Sequence, residues 1–311
     1  MSQAASTANG LPPEQPVRFD SDGLSLAGFV GLPAGVADGE RRPSMTPGPR
    51  RPAFIVLHGF GSHKDAGNVT TPVAMLRALG YVTLRFDMRG CGESEGEPGR
   101  LICLEQVADT GNALEFLSRH PAVDPARIAL LGSSFGAAVA VYTAGTNPRV
   151  AAVVSSGGWG HGERKFRGQH PTPEAWERFT AMLRAGREYR ERTGKSMMVG
   201  RYDIVPIPDH LRGHVVDKSA QVFPAETAQS MFDFRAEDVV GNIAPRPLLL
   251  LHSSVDSVTP TEQSVAMFQR AGQPTDLHLF SETDHFMFDE SNQRVHEVVR
   301  AWLARFFPVH R

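Results

Sequence analysis

The sequence is poor in cysteine. Cys91 and Cys103 are the two present among 311 residues, too few for a disulfide framework or a four-thiolate zinc site. That scarcity predicts a reducing compartment. Long apolar runs are missing as well: none approaches the roughly 18–20 residues that a membrane span needs. Nor is there an excess of one charge. Lys and Arg total 32 against 34 Asp and Glu, a formal net charge of −2, which lacks the basic footprint of a nucleic-acid binder. Residues 1–16 have neither a positive start nor an apolar core, so they do not read as a secretory signal. They are expected to form a flexible N-terminus on a soluble, cytoplasmic protein with no nucleic-acid or membrane partner. The histidines show no HExxH and no paired Cys/His spacing, so neither a metal nor a cofactor is expected.

What is present is apolar material for a sizeable core, 41% of the chain, in segments whose period keeps switching. Val17 to Pro33 reads as a hairpin turning near Asp22-Gly23. Strands are expected at Ala53 to Leu57, Tyr81 to Phe86, Arg127 to Leu131, Val150 to Val154, Pro247 to Leu251 and Asp276 to Phe280. Helices are expected at Pro72 to Leu79 with Thr71 as cap, Leu104 to Leu117, Phe135 to Ala144, Pro260 to Ala271 and Asn292 to Phe307. Thr259, Pro260 and Glu262 suggest a capping box for the fourth of these. Strand and helix in alternation predict an α/β fold with a doubly wound, mostly parallel sheet. The rhythm breaks between Gly157 and about Ala236, which lacks a strand pattern. Thr172-Pro173 opens an amphipathic helix there that ends near Gly194, with Trp176, Phe179, Leu183 and Tyr189 on or near one face. The expected organisation is a core of residues 17–156 and 237–311 carrying a helical cap insertion, 157–236, over the carboxyl ends of the strands, where open α/β sheets bind ligands.

Gly132-Ser133-Ser134-Phe135-Gly136 is a G-x-S-x-G between a buried strand and a helix rich in small residues. That context predicts a tight elbow presenting Ser134 as a nucleophile. A serine hydroxyl needs a base to take its proton and a third group to hold that base. His285 falls after the last strand, and Asp256 follows the strand before it. The order Ser134, Asp256, His285 therefore gives the candidate catalytic triad. Asp284, Asp233 and Asp238 are the competing acids. An acyl-transfer intermediate also needs backbone donors for its oxyanion. The N–H groups of Phe60, in His58-Gly59-Phe60-Gly61, and of Phe135 are the candidates for that oxyanion hole, with His58 a structural residue of the loop.

On these stretches, and on Asp87-Met88-Arg89-Gly90-Cys91-Gly92-Glu93-Ser94-Glu95-Gly96, the chain resembles the α/β-hydrolase superfamily. The likeness lies with its serine esterases, acyl-peptidase-like hydrolases and relatives of dienelactone hydrolase. It covers about residues 17–156 and 245–308. The resemblance implies a serine hydrolase of the α/β-hydrolase fold, and it implies that Asp87, Arg89 and Ser94 are scaffold beside the site. Carboxylic-ester hydrolysis of a small-molecule substrate is the first expectation, because an alkoxide leaves more easily than an amide nitrogen. An amidase or peptidase of the acyl-peptidase type, or a carbon–carbon bond hydrolase on the same triad, stays open.

Residues 161–220 carry a net charge of +4 and the remainder −6. A basic cap on an acidic body can attract an anionic substrate. This suggests a half-ester of a diacid, and the chain is similar in general build to monoalkyl phthalate hydrolases. Arg164, Lys165, Arg167 and Arg201 are the candidates for a carboxylate clamp. Trp159, Phe166, Trp176, Met197 and Met198 are the candidates for an apolar substrate pocket, with burial in the cap's own core as the competing reading.

Overall fold

The computed structural model describes residues 11–35, 50–215, 219–288 and 291–310. Its strands are β1 (Gln15–Ser21), β2 (Leu24–Gly31), β3 (Arg51–Leu57), β4 (Val82–Phe86), β5 (Val123–Ser133), β6 (Val150–Ser156), β7 (Met198–Gly200), β8 (Val222–Pro224), β9 (Leu248–Ser253) and β10 (Thr275–Phe280). Its helices are α1 (Gly67–Ala78), α2 (Cys103–Ser118), α3 (Phe135–Thr146), α4 (Gly162–Gln169), α5 (Pro173–Thr193), α6 (Arg201–Ile204), α7 (Ala225–Asp233), α8 (Glu262–Arg270) and α9 (Gln293–Phe306). Eight strands form one sheet in the order β1-β2-β4-β3-β5-β6-β9-β10. Its pairings from β4 to β10 are parallel, and β1 and β2 join antiparallel at one edge. This is the doubly wound α/β-hydrolase sheet.

The apolar runs of the central strands follow from burial on both faces. Side chains alternate across a strand. Ile55, Leu57, Leu84, Leu130, Val153 and Leu250 enter one core, with Leu114 of α2 and Val141 of α3. Phe54, Val56, Leu131, Val154 and Leu249 enter the other, with Leu76 of α1 and Leu303 of α9. Ala137, Ala138 and Ala140 leave no bulk on α3, so it lies close to the sheet. Among the described residues no helix is long and apolar enough to cross a membrane.

Four expectations are corrected. The helix expected from Pro72 begins at Gly67, with Ala66 rather than Thr71 at its cap. Pro72 lies inside it and cannot donate to the Asn68 carbonyl, which instead accepts from the Ser133 hydroxyl at 3.4 Å. The capping box at Thr259 is absent. Helix α8 starts at Glu262, after Thr261, because the Val258 and Thr259 N–H groups are drawn to Asp256. Residues 157–236 are not strandless: β7 and β8 pair antiparallel there. The segment expected to be loose is packed from Leu11 onward. Leu11 is buried, Glu14 pairs with Arg85 at 2.9 Å, and β1 starts at Gln15. Residues 1–10 lie outside the described residues.

Arg246 ties the end of α3 to the start of β6. Its guanidinium donates to the carbonyls of Ala144 and Asn147 at the end of α3, of Val150 in β6, and of Asn242 and Ile243. Removing a charged donor from several carbonyls leaves them without partners. Arg246→Met is expected to lower stability by about 2–4 kcal/mol, read as an earlier urea midpoint without a change in slope.

Candidate active site

The carboxyl ends of β3, β5, β9 and β10 converge, and the candidate side chains sit there. Ser134 links β5 directly to α3 with φ 55° and ψ −114°, a conformation that L-residues avoid unless the surroundings enforce it. The two glycines of the elbow are a steric requirement. A Cβ on Gly136 would stand 2.6 Å from the carbonyl oxygens of Leu57 and His58, and one on Gly132 would collide with the Gly136 carbonyl. The Ser134 N–H donates to the Ser156 carbonyl at 2.8 Å, pinning the elbow to β6.

His285 lies in the loop between β10 and α9. Its Nε2 is 2.8 Å from Ser134 Oγ. Its Nδ1 is 2.9 Å from Asp256 Oδ2 and 3.1 Å from Oδ1. The Asp256 side chain is fully buried in the turn after β9. Its Oδ1 also accepts the N–H groups of Val258 at 2.8 Å and Thr259 at 2.7 Å. Burial alone would raise this carboxyl. The interaction with the His285 imidazole and the hydrogen bonds from His252 and His285 outweigh it and hold the group well below the usual carboxylate range. An ionised carboxylate accepts only, so Nδ1 of His285 carries the proton and Nε2 offers its lone pair to the serine hydroxyl. This is the arrangement that lets a serine attack a carbonyl carbon.

The competing acids are engaged elsewhere. Asp284 accepts from the backbone of Ser257 and His285 at 2.8 Å each and faces His210 at 3.7 Å. Asp233 accepts from Gln229, and Asp238 pairs with Arg270. Gly157 went unnoticed in the sequence. It has φ 62°, and a Cβ there would press on the His285 ring at 3.3 Å. The pair Gly157-Gly158 at the end of a buried strand was the available signal.

The loop after β3 carries His58 to Gly61. His58 is buried, and burial lowers its pKa, so the ring is neutral. Nδ1 donates to the Gly59 carbonyl at 2.9 Å and Nε2 accepts the Met88 N–H at 3.1 Å. Among the described residues, neither the Phe60 N–H nor the Phe135 N–H has an acceptor. Beneath the loop lies Arg201, buried against the Phe60 and Phe223 rings. It donates to the carbonyls of Phe60, Gly61 and Ala220 at 3.0, 3.0 and 2.8 Å.

The cavity in front of Ser134 is about 60 Å³ and takes its outer wall from Val205, Ile207, His214 and Val215. Of the nine substrate-binding candidates, Arg201 alone borders it. Arg164 is held by Glu237. Arg167 stacks on Trp176 and pairs with Glu163. Trp159 packs edge-on to Phe234, and Phe166 stacks on Phe179, which Trp176 also touches. Met197 is half-buried and Met198 exposed. Apart from exposed Met198, these side chains pack within residues 157–237 rather than around Ser134. The wall residues carry no periodic signal, because they lie in an irregular stretch broken by Pro206 and Pro208.

Lys165 is also buried. Its Nζ has no hydrogen-bond partner among the described residues and sits over the Phe166 ring at 3.8 Å and the Trp159 ring at 5.4 Å. Burial pushes its amine down to about 7.

The family model described as serine aminopeptidase, S33, matches residues 48–292. An uncharacterised 31.7 kDa protein of Escherichia coli is 26% identical over 84% of this chain and 92% of its own. The polyketide transferase GrgF of a Penicillium species is 27% identical over 90% and 91%, and its crystal structure superposes with a TM-score of 0.74, covering 94% of this chain and 99% of that one. A hypothetical protein of Pseudomonas aeruginosa, 20% identical, superposes with a TM-score of 0.79 over 97% and 96%.

The folded chain holds Lys165 at a lower pKa than the unfolded chain does, so the unfolded chain binds the extra proton between about 7 and 10.5. Stability attributable to this residue therefore rises with pH across that window. Lys165→Met is expected to raise the melting temperature by several degrees at pH 6–7, with the gain closing toward pH 10. Thermal melts at the two pH values check it.

Proposed function

The chain belongs to the α/β-hydrolase family described as serine aminopeptidase, S33, and we propose that within it the protein is a carboxylic-ester hydrolase working through an acyl-enzyme on Ser134. The observation that carries this reading is the relay itself: Ser134 Oγ 2.8 Å from His285 Nε2, and His285 Nδ1 2.9 Å from Asp256, with the serine on a strained elbow. His285 takes the serine proton as Oγ attacks the ester carbonyl carbon. The N–H groups of Phe60 and Phe135 receive the oxyanion. The second of these opens α3, where the helix end adds positive potential. His285 then protonates the departing alkoxide. Water, deprotonated by the same imidazole, releases the acid. Asp256 stays ionised and stabilises the imidazolium in both halves.

Residues 157–236 act as the cap in this reading, since Val205, Ile207, His214 and Val215 come from that segment. At about 60 Å³ the cavity falls well short of the ~300 Å³ from which small-molecule pockets begin. Productive binding therefore requires this wall to move, and it favours a small acyl group. A half-ester such as a monoalkyl phthalate needs a cation beside the pocket. Among the described residues Arg201 is the charged side chain there, and its donors are fixed on three backbone carbonyls. The uncharged ester is the better fit. The polyketide transferase name borne by one relative favours a second fate for the same acyl-enzyme, transfer to an acceptor other than water.

A fluorophosphonate probe is expected to label the wild type at Ser134, and Ser134→Ala is expected to lose both labelling and turnover of p-nitrophenyl esters, by at least about a thousandfold. Turnover retained in Ser134→Ala sinks the proposal. Adding an alcohol acceptor and identifying the products separates hydrolysis from transfer. Preference for aminoacyl anilides over esters would assign an amidase. Ile207→Ala is expected to shift selectivity toward longer acyl chains by roughly tenfold in kcat/KM ratio, measured across an acetyl-to-octanoyl series.

A further inference from the structure

A second histidine reaches the carboxylate of Asp256. His252 is the penultimate residue of β9 and is fully buried. Its Nε2 lies 3.2 Å from Asp256 Oδ2 and 3.0 Å from the Thr259 carbonyl. Both neighbours are acceptors, so Nε2 carries a proton in either charge state of the ring. On the opposite edge, Nδ1 lies 2.6 Å from the Ser264 hydroxyl, on the first turn of α8. Ser264 is itself fully buried. The four groups form a continuous chain, Ser264–His252–Asp256–His285, ending on Ser134.

We propose that His252 is a positioning residue of this centre, fixing the Asp256 carboxylate and sharing the charge of the oxygen that engages His285. The inference rests on the acyl-enzyme reading for its meaning in turnover, but the coupling itself is a property of the hydrogen bonds.

Geometry supplies the argument. Backbone N–H groups of Val258 and Thr259 anchor Oδ1 alone. Rotation of the carboxylate about its last bond is opposed, on the Oδ2 side, by His252 and His285. With the His252 N–H gone, Oδ2 keeps one donor. Its charge then falls wholly on His285, which strengthens that hydrogen bond and favours the protonated imidazole. The carboxylate also gains freedom, which costs alignment. Among the described residues, the remaining charged or titratable side chains near this centre are Asp284, His210, His214 and Arg201. Asp284 faces His210 and Ser257, His214 stacks on Phe286, and Arg201 faces the loop carbonyls. Among the described residues none of them donates to Asp256.

The test compares wild type, His252→Leu, His252→Gln and Ser264→Ala. Two readouts are taken on each: the proton resonance of the His285–Asp256 hydrogen bond, and the pH profile of fluorophosphonate labelling. In His252→Leu the resonance is expected to move downfield, the acid limb of labelling to move to higher pH, and the plateau rate to fall roughly tenfold. His252→Gln keeps an N–H at the same place and is expected to restore the wild-type limb. Ser264→Ala, which loosens the ring, is expected to shift both readouts in the direction of His252→Leu by a smaller amount. It also decides the matter if His252→Leu does not fold. A resonance and acid limb unchanged in Ser264→Ala, or in folded His252→Leu, overturn the proposal. A shifted resonance in a protein whose Ser134 never labels leaves the coupling standing and defeats the acyl-enzyme reading instead.

Discussion

A carboxylate without solvent has to be satisfied by the protein, and this site is organised around one such group. Asp256 receives two backbone N–H groups from its own turn, one imidazole from β9 and one from the loop after β10. Each donor fixes a piece of chain. The turn around Asp256 sets where α8 begins, the His285 contact sets the last loop, and the loop presents Nε2 to the serine elbow. Loss of any one donor would leave a buried charge partly unpaired, which costs far more than the hydrogen bond itself contributes. The local backbone therefore follows the acid rather than local helix propensity, and the missing capping box at Thr259 is the visible result.

The sheet was legible in the sequence for a simple reason. Strands buried on both faces must be apolar at consecutive positions, and Ala53 to Leu57 or Leu248 to Leu251 admit few other readings. The elbow was legible because backbone carbonyls stand where the side chains of residues 132 and 136 would go. Order along the chain then singled out Asp256 and His285, which lie within hydrogen-bond distance of each other. Helix ends were harder. Pro72 suggested a first turn, yet α1 runs through it because the carbonyl it frees meets the Ser133 hydroxyl. The pocket wall was not legible at all. Val205, Ile207 and His214 are brought together by packing of an irregular stretch, and no period in the sequence marks them.

Net charge is a coarser signal than the position of each charge. The +4 of residues 161–220 is dispersed among local partners. Arg164 meets Glu237, Arg190 meets Glu226, and Arg212 meets Asp209. Lys165 sits without a carboxylate among aromatic rings. An exposed pair such as Arg212–Asp209 contributes little to stability. A count of charges over a segment measures a field only when the charges face the same way.

Arg201 joins two regions that are far apart in the chain. From the start of α6 it holds the carbonyls of Phe60 and Gly61, in the two peptide groups that follow the Phe60 N–H. Any displacement that carries Arg201 outward strips those bonds from the loop and lets its peptide planes turn. On the proposed reading, in which the Phe60 N–H receives the oxyanion, access and readiness would be opposed wherever admitting a ligand carried Arg201 outward with the wall. Closure restores both together, so a ligand too bulky to let Arg201 return would be bound but poorly turned over, a selectivity exercised through rate rather than through affinity.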